Sequence, residues 1–291
     1  VQVQVNGVPL FFDVEGAALV PDGDILRPRP TVLLLHGGPG FDHASFKPAF
    51  TALTDCCQLV YLDHRGQGRS GGGRSGWTLD QWADDVRGLC DALGIVKPVV
   101  LGNSFGGFVA QAYLARHPDH AAGVILSSTA ARMTLDLILA AFERRGGPAI
   151  RDAAAAFWQD VRAEKVEAYA QVCMPFYTAA RPRDGVPGRA RSIVRPEVLE
   201  HFSGRDGEMW RMDFRDSLRR VRVPVLLLAG DLDPVTPWEC AEELAACLPP
   251  RHLTYHRQPD CGHGLWRDQP DRTFAAIRAF IRRVAAECQC G

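Results

Sequence analysis

The run Val99-Val100-Leu101-Gly102-Asn103-Ser104-Phe105-Gly106-Gly107-Phe108-Val109-Ala110 constrains this chain more than any other stretch. A short apolar, β-branched segment ends at a glycine. A serine follows two residues on, a second glycine two after that, and a helix-forming segment continues to His117-Pro118. The pattern predicts a strand, a sharp turn and a helix, with the serine hydroxyl lifted above the edge of a sheet. Side chains at the two flanking positions would collide in such a turn, which accounts for Gly102 and Gly106. A glycine-rich β-to-α turn holding an anion at the helix N-terminus has a similar local pattern, so the rest of the chain must discriminate.

The remainder supplies alternating strands and helices. Val1–Val5 and Val8–Val14 flank the turn signal Asn6-Gly7 and predict a hairpin. A polar loop through Pro21, Pro28 and Pro30 leads to Thr31–Leu35, an apolar strand of the kind buried on both faces, which ends at His36-Gly37-Gly38-Pro39-Gly40. Phe46–Leu53 suits a helix, and Gln58–Leu62 is the next strand, running into Asp63-His64-Arg65-Gly66-Gln67-Gly68-Arg69-Ser70. Thr78 can cap a helix over Leu79–Leu93, where Leu79, Trp82, Val86, Leu89 and Leu93 recur at helical spacing. Val124–Leu126 and Val223–Ala229 read as further buried strands, with a helix over Trp238–Leu248, a last strand at His252–His256 and a closing helix from Asp271 to about Val284. This alternation predicts an α/β fold, a mostly parallel central sheet with helices on both faces. Its ligands would lie beyond the carboxyl ends of the strands.

Between residues 130 and 211 the alternation stops. Met133–Phe142 and Ala153–Tyr169 look helical, joined onward by an arginine-, proline- and glycine-rich link from Arg181 to Arg191. We expect a core domain of residues 1–129 and 212–291 and a helical cap, or lid, inserted at 130–211. Phe157, Trp158, Phe176, Tyr177 and Trp210 suggest an apolar cap pocket for a small substrate.

Composition narrows the function classes. Lys+Arg 33 against Asp+Glu 34 gives a formal net charge of -1, so no basic field would draw nucleic acid or an anionic membrane, and neither is an expected partner. The longest apolar runs are far too short to span a bilayer. The 9 cysteines are scattered without paired metal-ligand spacing and mostly read as small buried hydrophobes of a reducing compartment; Cys288-Gln289-Cys290 could hold a soft metal but reads rather as a frayed tail. With no charged-then-apolar leader in the N-terminal stretch, a cytoplasmic location is expected.

Three polar groups follow three strands in the order Ser104, Asp233, His263. A serine hydroxyl is a poor nucleophile at neutral pH, so a histidine must take its proton and a carboxylate must fix that histidine's tautomer. His263 suits the base, on a Gly262-His263-Gly264 loop after the last strand. Asp231 and Asp233 both follow the preceding strand, and Asp233, deeper in the loop and before Pro234, is the better acid. Asp260 would shape the histidine loop. His36 would support its own turn and His64 a structural loop, while the other histidines have no accompanying motif. The oxyanion donors should be the backbone amides of Gly38 and Phe105, since Pro39 has none to offer. This chemistry calls for no metal and no cofactor.

With Ser104 in its turn, Asp233 and His263 in order and the His36–Gly40 loop, the chain resembles the α/β-hydrolase superfamily. His36-Gly37-Gly38-Pro39-Gly40 together with Asp63-His64-Arg65-Gly66-Gln67-Gly68-Arg69-Ser70 is similar to the proline iminopeptidase group. That resemblance implies a serine hydrolase acting on a short peptide or small-molecule substrate through an acyl-enzyme, with acidic cap residues holding the substrate's amino group. Glu164 and Glu167 could hold an ammonium but lie on a charged helix and read as a solvated face. Gly102-Asn103-Ser104 and Cys261-Gly262-His263 also resemble the C-C bond hydrolases of the same superfamily, and esterase and lactonase activities are open. A non-catalytic receptor for a small ligand, built on the same fold, is the alternative of another class.

Overall fold

The apolar runs form the middle of one sheet. In the computed structural model, which describes residues 1–179 and 189–289, β1 (Gln2–Val5) and β2 (Val8–Glu15) make the expected hairpin, and β3 (Leu19–Asp22) and β4 (Ile25–Pro28) pair with each other. Then come β5 (Thr31–Leu35), β6 (Gln58–Leu62), β7 (Val99–Asn103), β8 (Gly123–Ser127), β9 (Val225–Gly230) and β10 (Leu253–Gln258). The main sheet runs β1-β2-β6-β5-β7-β8-β9-β10; β1 and β2 are antiparallel to their neighbours and every other pairing is parallel.

Side-chain alternation along these strands builds a core on each face. Leu33, Leu35, Val60, Leu62, Val100, Val124, Leu126 and Leu227 pack to one side, and Val32, Leu34, Leu59, Tyr61, Leu101, Ile125, Leu226 and Leu228 to the other. The first face is covered by α1 (Leu79–Leu93) and α2 (Phe105–Arg116). Thr78 caps α1 by accepting from the Gln81 amide at 3.2 Å, and Gly94, in the left-handed conformation, ends it. Every residue of α2 from Phe105 to Leu114 is buried, as befits a helix wedged between sheet and neighbours.

Between β8 and β9 the described residues form helices and no strand: α3 (Leu135–Gly146), α4 (Pro148–Trp158), α5 (Val166–Val172), α6 (Pro196–Ser203) and α7 (Arg215–Leu218). After β9 come α8 (Trp238–Cys247) and, closing the chain on the second face, α9 (Pro270–Gln289). Among the described residues no helix is long and apolar enough to cross a membrane.

Local differences from the sequence reading have identifiable causes. The expected loop through Pro21 and Pro28 is the β3–β4 hairpin, turning at Gly23 with φ +60°; its prolines sit on an isolated, exposed two-stranded ladder. Where a helix over Phe46–Leu53 was expected there is only the 3₁₀ turn Ala49–Leu53, after a separate one at His43–Ser45, because Pro48 brings no N–H to a continuous helix. The expected helix over Ala153–Tyr169 breaks after Trp158, where Asp160 bonds Arg162 and Lys165 and pins the turn before α5. The helix α6 was not anticipated. Most of the Arg181–Arg191 link, and Cys290 of the Cys288-Gln289-Cys290 motif, lie outside the described residues.

Pairing registers bring the loop ends together. Gly102 of β7 lies beside Leu35 of β5, Asn103 beside Ser127 of β8, and Ser127 beside Leu228 of β9, so the chain leaves all these strands at one edge.

Candidate active site

The turn after β7 is as tight as its glycines imply. Ser104 has φ 54° and ψ −119°, a strained conformation for a residue with a side chain. It is held by its own amide donating to Ser127 O at 2.9 Å, by Gly107 N donating to its carbonyl at 2.8 Å, and by Thr129 Oγ1 donating to the same carbonyl at 3.0 Å. A Cβ on Gly102 would lie 2.3 Å from Gly106 O, and one on Gly106 would lie 2.0 Å from Leu35 O. Both glycines are therefore steric requirements of the turn that presents Ser104.

His263 and Asp233, from two other loops, meet there. The Nδ1 of His263 is 2.8 Å from Oδ2 of Asp233, and because an ionised carboxylate can only accept, Nδ1 carries the proton. Asp233 is held in turn by the amides of Val235 and Thr236, which donate to Oδ1 at 2.8 and 2.9 Å, and by Thr236 Oγ1, which donates to Oδ2 at 2.9 Å. The other ring nitrogen of His263 makes no hydrogen bond among the described residues, and His263 and Ser104 line the same cavity. Asp231, the other acid considered, points away into an ion pair with Arg257.

The histidine loop is fixed from several sides. His263 N donates to Tyr177 O at 2.6 Å, Gly264 N donates to Ser128 Oγ at 3.1 Å, and the Tyr177 ring stands edge-on to the imidazole at 5.2 Å. Asp268, not Asp260, shapes the loop: its carboxylate accepts from the amides of Gly262 (2.8 Å) and Ala179 (2.9 Å), while Asp260 is exposed.

The amides of Gly38 and Phe105 make no hydrogen bond among the described residues, and Gly38 lines the same cavity as Ser104. Gly38 adopts φ +132°, which favours glycine. His36 supports the turn as expected. Its Nδ1 donates to Gly37 O at 2.8 Å and its Nε2 accepts from His64 N at 3.3 Å, an arrangement that only one neutral tautomer satisfies. Burial pushes the pKa of His36 down, against the opposing charge of Asp63, and burial together with His36 pushes that of His64 far down. Gln67 Oε1 accepts from Gly40 N at 2.7 Å, tying the Asp63–Ser70 loop to the glycine loop. Arg65 pairs with buried Asp85 through two hydrogen bonds of 2.7 Å, so that loop is a structural brace.

Phe157, Trp158 and Tyr177 line the cavity, but Phe176 and Trp210 do not; Trp210 donates instead to Ser203 O. Phe41, Tyr169, Met174 and Leu199 complete an apolar wall that the sequence reading missed. Trp158 Nε1 donates to Tyr169 Oη at 3.0 Å, and Tyr169 and Tyr177 share a hydroxyl hydrogen bond of 2.8 Å, so the aromatic residues are mutually oriented. Glu164 and Glu167 are exposed, and neither lines the cavity. Arg267 does line it; nothing in its sequence context marked it.

A strained serine after a central strand, beside a histidine–aspartate pair from two later loops, defines a recognisable class. The sequence matches the family described as alpha/beta hydrolase fold over residues 30–266, and the chain belongs to that family. It is a hydrolase of the α/β fold with proline iminopeptidase-like and esterase relatives. A proline iminopeptidase of Pestalotiopsis fici is 28% identical over 293 residues, covering 97% of this chain and 99% of that one. A bifunctional esterase/perhydrolase of Acinetobacter calcoaceticus is 26% identical over 308 residues, covering 95% and 97%. In three dimensions the chain is similar to a proline iminopeptidase of Mycobacterium smegmatis, with a TM-score of 0.75 and 22% identity over 99% of both chains.

Proposed function

We propose that this chain is a serine hydrolase that cleaves a small ester through an acyl-enzyme, with Ser104 as nucleophile, His263 as general base and acid, and Asp233 as the residue that orients His263. The observation that carries the reading is the His263–Asp233 hydrogen bond in the same cavity as Ser104. Attack of Ser104 Oγ on the substrate carbonyl passes its proton to His263 Nε2, and the imidazolium is stabilised by Asp233. The tetrahedral oxyanion accepts from the Gly38 and Phe105 amides. Collapse expels the leaving group, which takes the proton back from His263. A water then repeats the cycle on the acyl-enzyme, giving up its proton to His263 and releasing the acid and free Ser104.

In this reading residues 130–211 form a cap over a core of 1–129 and 212–291, and the cap's Phe157, Trp158, Tyr169 and Tyr177 make the pocket for the substrate's apolar part. An ester is favoured over removal of an N-terminal proline, because the charge that Arg267 brings to the cavity opposes a substrate ammonium.

Labelling by a fluorophosphonate, blocked in Ser104→Ala, together with a panel of p-nitrophenyl esters, a lactone and a proline arylamide, tests the proposal. We expect Ser104-dependent labelling and ester turnover. Ligand binding without labelling would favour a receptor, and dominant proline arylamide turnover would favour a peptidase.

A further inference from the structure

Arg267 sits one turn beyond His263, in the 3₁₀ segment Leu265–Arg267, and its side chain forms part of the cavity wall with Ser104 and His263. Its Nη1 donates to His263 O at 3.1 Å, and its guanidinium carbon lies 5.0 Å from the centre of the Trp266 ring. Those are its contacts: no carboxylate pairs with it among the described residues. The nearest acid in the chain, Asp268, already accepts from the amides of Gly262 and Ala179. Gly264 gives the guanidinium its place, since a Cβ there would lie 3.0 Å from Nη1.

Arg267 is half-buried, and a cation drawn part-way out of water without a carboxylate partner favours an anion there, because desolvating an unpaired charge is costly. Burial pushes its pKa down to about 10, against the opposing influence of Asp268, and it stays a cation at neutral pH. The cavity it lines is walled also by Phe41, Phe157, Trp158, Tyr169 and Leu199, and among the described residues no Asp or Glu side chain lines it. Most of its N–H fork is therefore unmatched by protein, in the same cavity as the proposed nucleophile and in surroundings that strengthen a charge-assisted hydrogen bond.

We infer that Arg267 binds a carboxylate carried by the substrate, so that the preferred substrates are monoanionic esters. This rests on the hydrolase reading above. The planar fork suits a carboxylate in a way that a point charge does not.

The test pairs each anionic ester with a neutral one of matched size, the acid released being followed at constant pH. Monoethyl succinate against ethyl butyrate places the carboxylate on the acyl side, and O-acetyl-lactate against isopropyl acetate places it on the alcohol side. The readout is the ratio of kcat/KM within a pair, for the full chain, Arg267→Gln and Arg267→Lys. We expect the wild type to favour the anionic member of one pair, which assigns the side, and Arg267→Gln to cut that ratio roughly ten- to a hundred-fold, mainly through KM. Arg267→Lys should restore part of it. If Arg267 only braces the His263 loop, both members fall together and the ratio holds, which overturns the inference; so does a wild type indifferent to the carboxylate in both pairs. Ser104→Ala on the neutral esters keeps the two readings apart, because persisting activity there removes the hydrolase reading itself, whatever the ratio does.

Discussion

The imidazole of His263 and the carboxylate of Asp233 meet at 2.8 Å, and Asp233 takes three further hydrogen bonds from Val235 and Thr236. This carboxylate is fixed before any substrate arrives, and Asp231 has its own partner in Arg257. Asp233→Asn should therefore reduce kcat by about 10⁴-fold, because an amide can hold His263 in the wrong tautomer. Asp231→Asn should change kcat only a few-fold. Steady-state ester kinetics on the two variants check this, and comparable losses in both would reverse the assignment of the acid.

The pair of buried histidines behind the glycine loop makes stability depend on pH above the carboxylate range. Burial lowers the pKa of His36 and of His64 below 6.5 in the folded state. Below pH 6.5 the unfolded chain then binds more protons than the folded one, so stability is present above that pH and declines as the pH drops, by at most about 1.4 kcal/mol per pH unit for each histidine. Urea midpoints from pH 7.5 to 5 measure the slope. His36→Gln should flatten it by one histidine's share; a midpoint constant from pH 7.5 down to 5 would contradict this account.

Asp63 works in the same direction, on a lower pH range. It is fully buried and accepts from His43 N (3.0 Å), His43 Nδ1 (2.6 Å) and Arg69 N (2.9 Å). Burial opposes its charge, yet the His43 hydrogen bond and the fields of His36 and His43 outweigh that and hold its pKa at about 2 instead of 3.8. Its ionised form thus adds stability that is complete above pH 4 and is lost as the pH falls towards 2. Asp63→Asn should cost about 3–5 kcal/mol at pH 7, by removing one member of a buried pair. Chemical denaturation at pH 7 checks the size, and a cost under 1 kcal/mol would show that the network is dispensable.

What was legible in the sequence follows physical range. Gly102, Ser104 and Gly106 could be read because the steric demand of their turn is local, and the strands because burial on both faces leaves unbroken apolar runs. Ser104 and Asp233 were visible for the same reason, each standing just past such a run, whereas His263 follows the half-exposed edge strand β10 and is marked by its Gly262-His263-Gly264 loop. Contacts between distant loops were not. That Asp268 and not Asp260 shapes the histidine loop depends on Ala179 arriving from elsewhere in the chain. Which aromatic residues line the cavity depends on how α4 and α5 cross, and the break at 159–162 that permits it carries no glycine or proline. Arg267, one arginine near the start of a charged closing helix, looks like any surface cation until its place in the wall of the Ser104 cavity is seen.

Ser104→Ala and Gly106→Ala separate chemistry from folding within three residues. The serine's Oγ makes no hydrogen bond among the described residues, so Ser104→Ala should keep its melting temperature while turnover falls by roughly 10⁶-fold. A methyl at Gly106 would enter the space of Leu35 O at 2.0 Å and the turn after β7 would have to move. Gly106→Ala should therefore lose at least the about 1–3 kcal/mol typical of overpacking, and its melting temperature should fall. Calorimetry and ester turnover on both variants decide; a stable, fully active Gly106→Ala would show that the turn has slack the geometry does not reveal.

Gly38 tests the proposed anion-stabilising half of the site without touching Ser104 or His263. Its φ of +132° is unfavourable for any residue with a Cβ, and a methyl there would crowd Gly40 N and the Phe41 ring, each at 3.1 Å. Gly38→Ala should therefore rotate the peptide and take its N–H off the position a tetrahedral oxygen would occupy. A single such donor is worth about 2.7–4 kcal/mol of transition-state stabilisation, a loss of about 10²–10³ in kcat. Because the donor acts on the transition state and much less on the bound ester, KM should change little. The loop stays anchored by Gly40 N on Gln67 and by His36 on Gly37, so fluorophosphonate should still reach Ser104, only more slowly. A fall in KM-dependent binding with kcat intact would place the Gly38 amide outside the hole and leave Phe105 to be joined by another donor.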